Sequence, residues 1–187
     1  MTDDSGRIGA ERIGMPLGFA VPDGWVPVEP TAAGTPGAVF VAVRAGAPDG
    51  SGFTPNITVG VDRRTDDADV SDVADEAIGR LAATVADLVL VERTVLGDRI
   101  APCVAQVLRV HLETEGELLP RSLVQSQVHL VIPLSGTPTD RIVVEMACTC
   151  GPDQVGGVTG DFQQFVASFH IKDAGEAESE GNNGCAR

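Results

Sequence analysis

The fold of this chain is decided by two runs, LVQSQVHLVIPL at positions 123–134 and IVVEMACTC at positions 142–150. Both alternate apolar residues with other residues, which is the pattern of a strand with one buried face. In the first run the residues predicted to face inward are Val124, Val128, Leu130 and Ile132. The residues predicted to face outward are Gln125, Gln127 and His129.

Similar runs occupy positions 88–96 and 103–113, so the stretch 87–150 predicts four consecutive strands that pair antiparallel. Two earlier strands are predicted at 38–45 and 57–63, joined by the long loop 46–56. A short strand at 17–21 ends at the turn Pro22-Asp23-Gly24, and Trp25 follows it, placed to fold over the sheet edge. Positions 26–37 contain three prolines, which predict an irregular loop or a short helix.

Helical spacing of apolar residues appears twice. The first helix begins near Asp69 or Ser71, either of which can cap it, and its apolar face continues to Val85. The second closes the domain and ends near Phe169; because Gly156 and Gly157 weaken its first turn, its firm part is predicted from about residue 159. These elements predict an α+β domain over residues 15–172, an antiparallel sheet flanked by helices, between a lead-in (1–14) and an acidic disordered tail (173–187).

Composition excludes several classes of function. Of the 187 residues 43% are hydrophobic, which suffices for a core, and the formal net charge is −14. Lys172 is the only lysine and the arginines are scattered, so no nucleic-acid partner and no anionic membrane surface are expected. No signal-peptide pattern and no run of about 18 apolar residues occurs. A cytoplasmic location, without membrane insertion and with reduced cysteines, is therefore expected.

The element order and three short motifs resemble the PsbP-like superfamily, which includes PsbP, Mog-type Ran-binding and DcrB proteins and the actinobacterial LpqN-type group. The motifs are the early strand running into PDGW (22–25), the segment FTPNITV (53–59), and FQQFVASF (162–169) in the closing helix. The likeness covers residues 17–171 and is greatest for the LpqN-type group. It implies a sheet sandwiched between helices and an accessory or binding module that is not an enzyme.

Cys148 and Cys150 lie two residues apart on one strand and point the same way, so they could share a soft metal with Cys103 or His170. Both also continue the apolar face that begins at Ile142, and buried cysteine behaves as a small hydrophobe. We interpret them as core residues. No metal and no cofactor are expected. Neither Cys185, in the tail, nor the acidic residues of segment 62–76, which lack calcium-loop spacing, are assigned a role.

Polar residues on two predicted neighbouring strands suggest a binding surface. Arg109, His111 and Glu113 are predicted to share a face with Gln125, Gln127 and His129, as a polar patch or an ordinary solvated face. Trp25 and Phe53 are further candidates; Phe53 either anchors in a partner's pocket or packs back into the core. The predicted binding residues are Trp25, Phe53, Arg109, His111, Gln125, Gln127 and His129.

No catalytic motif is present in the sequence. We therefore predict a non-catalytic interaction or accessory protein with a protein partner. The alternatives are a small-ligand carrier or sensor with a pocket between sheet and helix, and a hydrolase or isomerase that uses His111 or His129 as its base.

Overall fold

The computed structural model describes residues 17–46, 52–97, 102–113, 121–134 and 139–171. The predicted lead-in, the predicted tail and Cys185 lie outside these residues. The elements are β1 (Leu17–Gly18), β2 (Trp25–Val28), β3 (Phe40–Arg44), β4 (Asn56–Arg64), α1 (Val70–Ala82), β5 (Asp87–Gly97), β6 (Pro102–Leu112), β7 (Arg121–Pro133), β8 (Arg141–Cys150), a short 3-10 turn (Pro152–Gln154), α2 (Val155–Ser168) and β9 (His170–Ile171).

Seven strands form one antiparallel sheet in the order β2-β3-β4-β8-β7-β6-β5, and β1 pairs with β9 in a small separate sheet. The four consecutive strands predicted between positions 87 and 150 are β5 to β8, each within two residues of its predicted ends. Each pairs with the next along the chain. The predicted α+β class is confirmed.

The two helices cover opposite faces of the sheet. Helix α1 buries Val70, Val73 and Ala74 against Val104, Val131 and Val143, and we call this side of the sheet the α1 face. Helix α2 buries Val158, Phe162 and Phe165 in a cluster with Ile142, Val144 and Met146, and we call that side the α2 face. Successive residues of a strand point to opposite faces, so in β8 Val143 packs beneath α1 while its neighbours Ile142 and Val144 pack beneath α2.

Helix α1 begins where an aspartate caps it. Asp69 accepts hydrogen bonds from the backbone N–H groups of Ser71 (2.7 Å) and Asp72 (2.9 Å), while Asp72 accepts one from the N–H of Asp69 (3.0 Å). This reciprocal pair satisfies N–H groups that have no partner within the helix. Of the two predicted caps, Asp69 is therefore the one used.

Several predicted boundaries were wrong. The strand predicted at 17–21 spans only Leu17–Gly18, and helix α1 ends at Ala82 rather than continuing to Val85. Trp25–Val28 is a strand paired with β3 rather than part of an irregular segment. Pro27, which lacks an N–H, is tolerated there because β2 lies at the sheet edge. Helix α2 begins at Val155 rather than near Thr159, since the 3-10 turn leads into it and Val158 packs into the core despite the two glycines.

Candidate functional site

The predicted polar patch is split between the two faces of the sheet. In the β6–β7 register Gln127 lies opposite Gln106 and His129 opposite Val104, so these residues belong to the α1 face. Arg109 lies opposite Val124 and His111 opposite Ser122, which puts both arginine and histidine on the α2 face. The prediction of one shared face is wrong, because alternation defines the two faces of each strand but not the register between strands.

Gln125, Gln127 and His129 are also less exposed than predicted, because α1 covers them. With Gln106 they form a cluster of buried and half-buried polar side chains, and we call its three glutamines (Gln106, Gln127 and Gln125) the glutamine ladder. Gln106 Nε2 donates to Gln127 Oε1 (2.6 Å), and Gln127 Nε2 donates to Gln125 Oε1 (2.6 Å). Gln125 Nε2 in turn donates to Thr149 Oγ1 (2.9 Å) on β8. The ladder therefore joins three adjacent strands beneath one helix.

Charged residues near the ladder link helix α1 to the sheet. Arg93 of β5 donates from Nε to Gln106 Oε1 (2.9 Å), and its Nη2 pairs with Asp75 Oδ1 of α1 (2.7 Å). Arg80 of α1 pairs with Glu145 of β8 at 3.0 Å. The two ion pairs hold α1 to the sheet, since each joins a helix side chain to a strand.

His129 is fully buried beside the ladder, with 0% of its surface exposed. Its Nε2 lies 3.2 Å from Gln127 Oε1 and 3.4 Å from Gln106 Nε2, while its Nδ1 has no hydrogen-bond partner among the described residues. Burial, reinforced by the positive charges of Arg80 and Arg93, lowers the pKa of His129 to about 4. The ring is neutral at physiological pH and out of reach of a substrate.

The second histidine lies elsewhere. His111 is half-buried on the α2 face, with Nδ1 3.6 Å from the Asp87 carboxylate, whereas His129 is on the α1 face. A site that uses both histidines therefore does not form in the described part of the chain.

Trp25 and Phe53 are not exposed anchors. Trp25 is 5% exposed and its Nε1 donates to Asp161 Oδ2 of α2 at 3.0 Å, so its ring belongs to the core. Phe53 is half-buried and packs against a cluster of Leu108, Val110 and Leu123. Of the two interpretations of Phe53, packing back into the core fits the structure.

Cys148 and Cys150 are buried in the main core, as predicted. Burial raises the pKa of Cys148 to about 12 and that of Cys150 to about 11. Within the described residues no group of three or more His, Cys, Asp or Glu side chains is placed to hold a metal ion.

Both cysteines should therefore be alkylated at different rates in the native and in the unfolded protein. Since only the thiolate reacts, we expect Cys148 and Cys150 to react at least about a hundredfold more slowly with iodoacetamide at pH 8 when folded than when unfolded in guanidinium chloride. Peptide mass spectrometry after timed labelling measures both rates in one sample. Comparable rates in the two states would contradict their burial.

An exposed apolar strand was missed by the sequence-based prediction. Strand β5 forms one edge of the sheet, and five of its large apolar side chains are between 42% and 64% exposed: Val89, Leu90, Val91, Val95 and Leu96. The register shifts between Leu90 and Glu92, which leaves Val91 as an extra residue in a β-bulge. The signal in the sequence was the unbroken apolar run at 88–91, which does not alternate.

A groove of about 230 Å³ lies beside this edge on the α2 face. Ala105, Val107 and Val128 form its floor, with Phe162 of α2 on one side and Thr94 of β5 on the other. It is lined mainly by apolar surface, and it contains neither His111 nor His129.

No helix in the described ranges combines the length and the apolar character needed to cross a membrane.

Comparison with known proteins gives the fold. No family model matches the chain, and no curated protein matches its sequence. Solved structures do match: LpqN, described as involved in cell envelope biogenesis of Mycobacterium tuberculosis, superposes with a TM-score of 0.59 at 16% identity, over 84% of this chain and 83% of LpqN. Cyanobacterial PsbP from Synechocystis gives 0.54 at 17% identity, over 83% of this chain and 86% of PsbP.

The Ran-binding protein Mog1p of Saccharomyces cerevisiae is also similar, with a TM-score of 0.52 at 13% identity over 84% of this chain and 90% of Mog1p. The chain thus has the PsbP-like fold that the sequence motifs indicated, with LpqN among its structural neighbours. At these identities the likeness extends to the fold alone.

Proposed function

We propose that this chain is a non-catalytic accessory protein that binds a protein partner along β5. The observation that carries the proposal is the row of five exposed apolar side chains on this edge strand. Single exposed apolar side chains are ordinary on a protein surface, whereas five large ones on a single edge strand are typical of an interaction site. One structural neighbour, Mog1p, is named for binding the protein Ran, so this fold is compatible with such a role.

The buried polar residues support a structural rather than a catalytic interpretation. His129 is inaccessible, and the glutamine ladder is satisfied mainly by its own members and by Arg93 and Thr149. A buried hydrogen-bonded network of this kind rigidifies a core and specifies its packing. We therefore assign the ladder to the placement of α1 and β5, which it joins through Arg93.

The groove favours a partner's side chain over a small ligand. Its volume of about 230 Å³ is below the range of about 300–1,000 Å³ that is typical of small-molecule pockets. It also lies directly beside the exposed strand, so a partner bound to β5 can fill it. The small-ligand carrier is accordingly the weaker proposal.

Site-specific crosslinking tests the proposed surface. A photo-crosslinking amino acid is placed at Val95 of β5 or, as a matched control, at Val26 of β2, an exposed valine on the opposite edge. In the cell that makes the protein, we expect one partner to be crosslinked from Val95 and not from Val26. Recovery of that partner should fall at least about fivefold for Val95→Lys and remain unchanged for Val26→Lys, both checked for an unaltered Tm. Equal recovery from the two variants would refute the proposal.

A further inference from the structure

We infer that the partner contributes an extended segment of net positive charge, which pairs with β5 as an additional strand of the sheet. This inference rests on the proposed function and adds to it the conformation and the charge of the bound segment. Three features of the described residues lead to it: the difference between the two sheet edges, the charge around β5, and the groove next to it.

The two edges of the sheet are built differently. Strand β2 has four residues, one of them Pro27, and short strands with proline are common protection against unwanted pairing. Strand β5 has eleven residues and contains neither proline nor lysine. It therefore presents a long edge of backbone N–H and C=O groups, interrupted by the bulge at Val91. Such an edge binds extended peptides by main-chain hydrogen bonds, with side-chain pockets adding specificity.

Charge around this edge selects for a basic segment. Asp87 has about two-thirds of its side chain exposed, and Glu92 is exposed in the middle of the strand. The charges of Arg93 and Asp75 cancel in their ion pair, so Asp87 and Glu92 stand against one exposed cation near the edge, Arg109 of β6, and the local balance is negative. With a formal net charge of −14, the chain attracts a basic segment and repels a second copy of itself.

The groove receives one side chain of the added strand. Adjacent strands lie about 4.8 Å apart, so a long apolar side chain that points to the α2 face reaches over Thr94 to the floor at Ala105 and Val107. Residues of the segment two positions away point to the same face. The bound sequence should thus alternate, with one large apolar residue at the groove and basic residues on either side.

Selection from a phage-displayed library of random short peptides tests this inference on the full chain. We expect enriched peptides to carry apolar residues at every second position together with lysine or arginine. A selected peptide should bind at least about tenfold more weakly to Val95→Lys than to the wild type, and equally well to Val26→Lys. Two further peptides are methylated on every second backbone nitrogen, one on the odd-numbered and one on the even-numbered residues, which removes N–H donors but keeps the side chains. One of these two methylation patterns should weaken binding at least about tenfold. Amide chemical shifts should change along β5.

Other results overturn the inference. The selection overturns it if no peptides are enriched, if the enriched peptides are acidic, or if their apolar residues are spaced by three and four positions as in a helix. Binding that neither methylation pattern weakens also overturns it. A wild-type dimer in analytical ultracentrifugation that Val95→Lys dissociates would assign the edge to a second copy instead. If the native partner is crosslinked at Val95 while the peptides fail, only this inference fails. If the partner binds Val95→Lys normally, the proposed function fails, whatever the peptides do.

Discussion

Replacing Phe165 with alanine should lower the free energy of unfolding by about 3–5 kcal/mol, the range found when a buried phenylalanine is truncated in a core. Phe165 is fully buried on α2 and contacts two other rings. Its ring centroid is 4.8 Å from that of Phe19 and 6.0 Å from that of Phe40, while Phe19 and Phe40 are 4.6 Å apart. The mutation removes the ring that α2 contributes to this cluster, so the helix loses its contacts with Phe19 and Phe40.

Guanidinium unfolding followed by circular dichroism measures this loss, provided the denaturant slope stays constant. The neighbouring Gln164 is exposed on the same helix, and Gln164→Ala should change the stability by no more than about 0.5 kcal/mol. A loss below about 1 kcal/mol for Phe165→Ala would contradict the packing of α2 described above.

The strands were predictable from the sequence because alternation is itself the physical signal of a half-buried strand. In β8 the even-numbered residues from Ile142 to Cys150 fill the α2-side core as predicted, while Val143 and Ala147 are buried on the other face. The cap at Asp69 was equally local, since all of its hydrogen bonds lie within residues 69–72. Features that depend on a few adjacent residues can thus be predicted from the sequence.

The site was less predictable because it depends on contacts between distant elements. The polarity of Gln127 and His129 suggested solvent, but α1 covers both, and Gln106 provides the hydrogen bonds that make burial tolerable. The position of Gln106 opposite Gln127 follows from the β6–β7 register. That register cannot be obtained from the alternation of either strand alone.

The exposed edge also depends on topology. Positions 88–91 are all apolar, which is typical of a strand buried on both faces, yet β5 is the last strand of the sheet. Only the order of strands shows that this run borders solvent. The conflict between an apolar sequence and an exposed position is the reason for assigning a binding role to β5.

Acidification should lower the free energy of unfolding because His129 is buried in its neutral form. Its pKa is about 4 in the folded protein and about 6.5 in the unfolded chain, so the unfolded chain takes up a proton first as the pH falls. Above about pH 6.5 the titration of His129 therefore takes nothing from the stability of the folded protein. Stability is lost as the pH decreases from there to about 4. The expected loss from this one residue is about 2 kcal/mol by pH 5 and about 3 kcal/mol below pH 4.

A neutral substitution isolates this contribution from the other titrating groups. Glu145, which lies opposite His129 in β8, has a pKa raised by burial, so its protonation favours the folded state as the pH falls and opposes the effect of His129. Arg80 of α1 and Arg93 of β5 stay charged throughout. In His129→Gln these groups remain, so the stability difference between wild type and variant should shift by about 2 kcal/mol, in favour of the variant, from pH 7 to pH 5.

Urea unfolding at closely spaced pH values measures that shift, and His170→Gln, a substitution of an exposed histidine, controls for the replacement of an imidazole by an amide. Proton NMR of the His129 ring should give the same folded pKa independently of stability. A pH-independent difference between wild type and His129→Gln would mean that His129 titrates alike in both states. In that case the ring would be open to water, and α1 would not seal this face of the sheet.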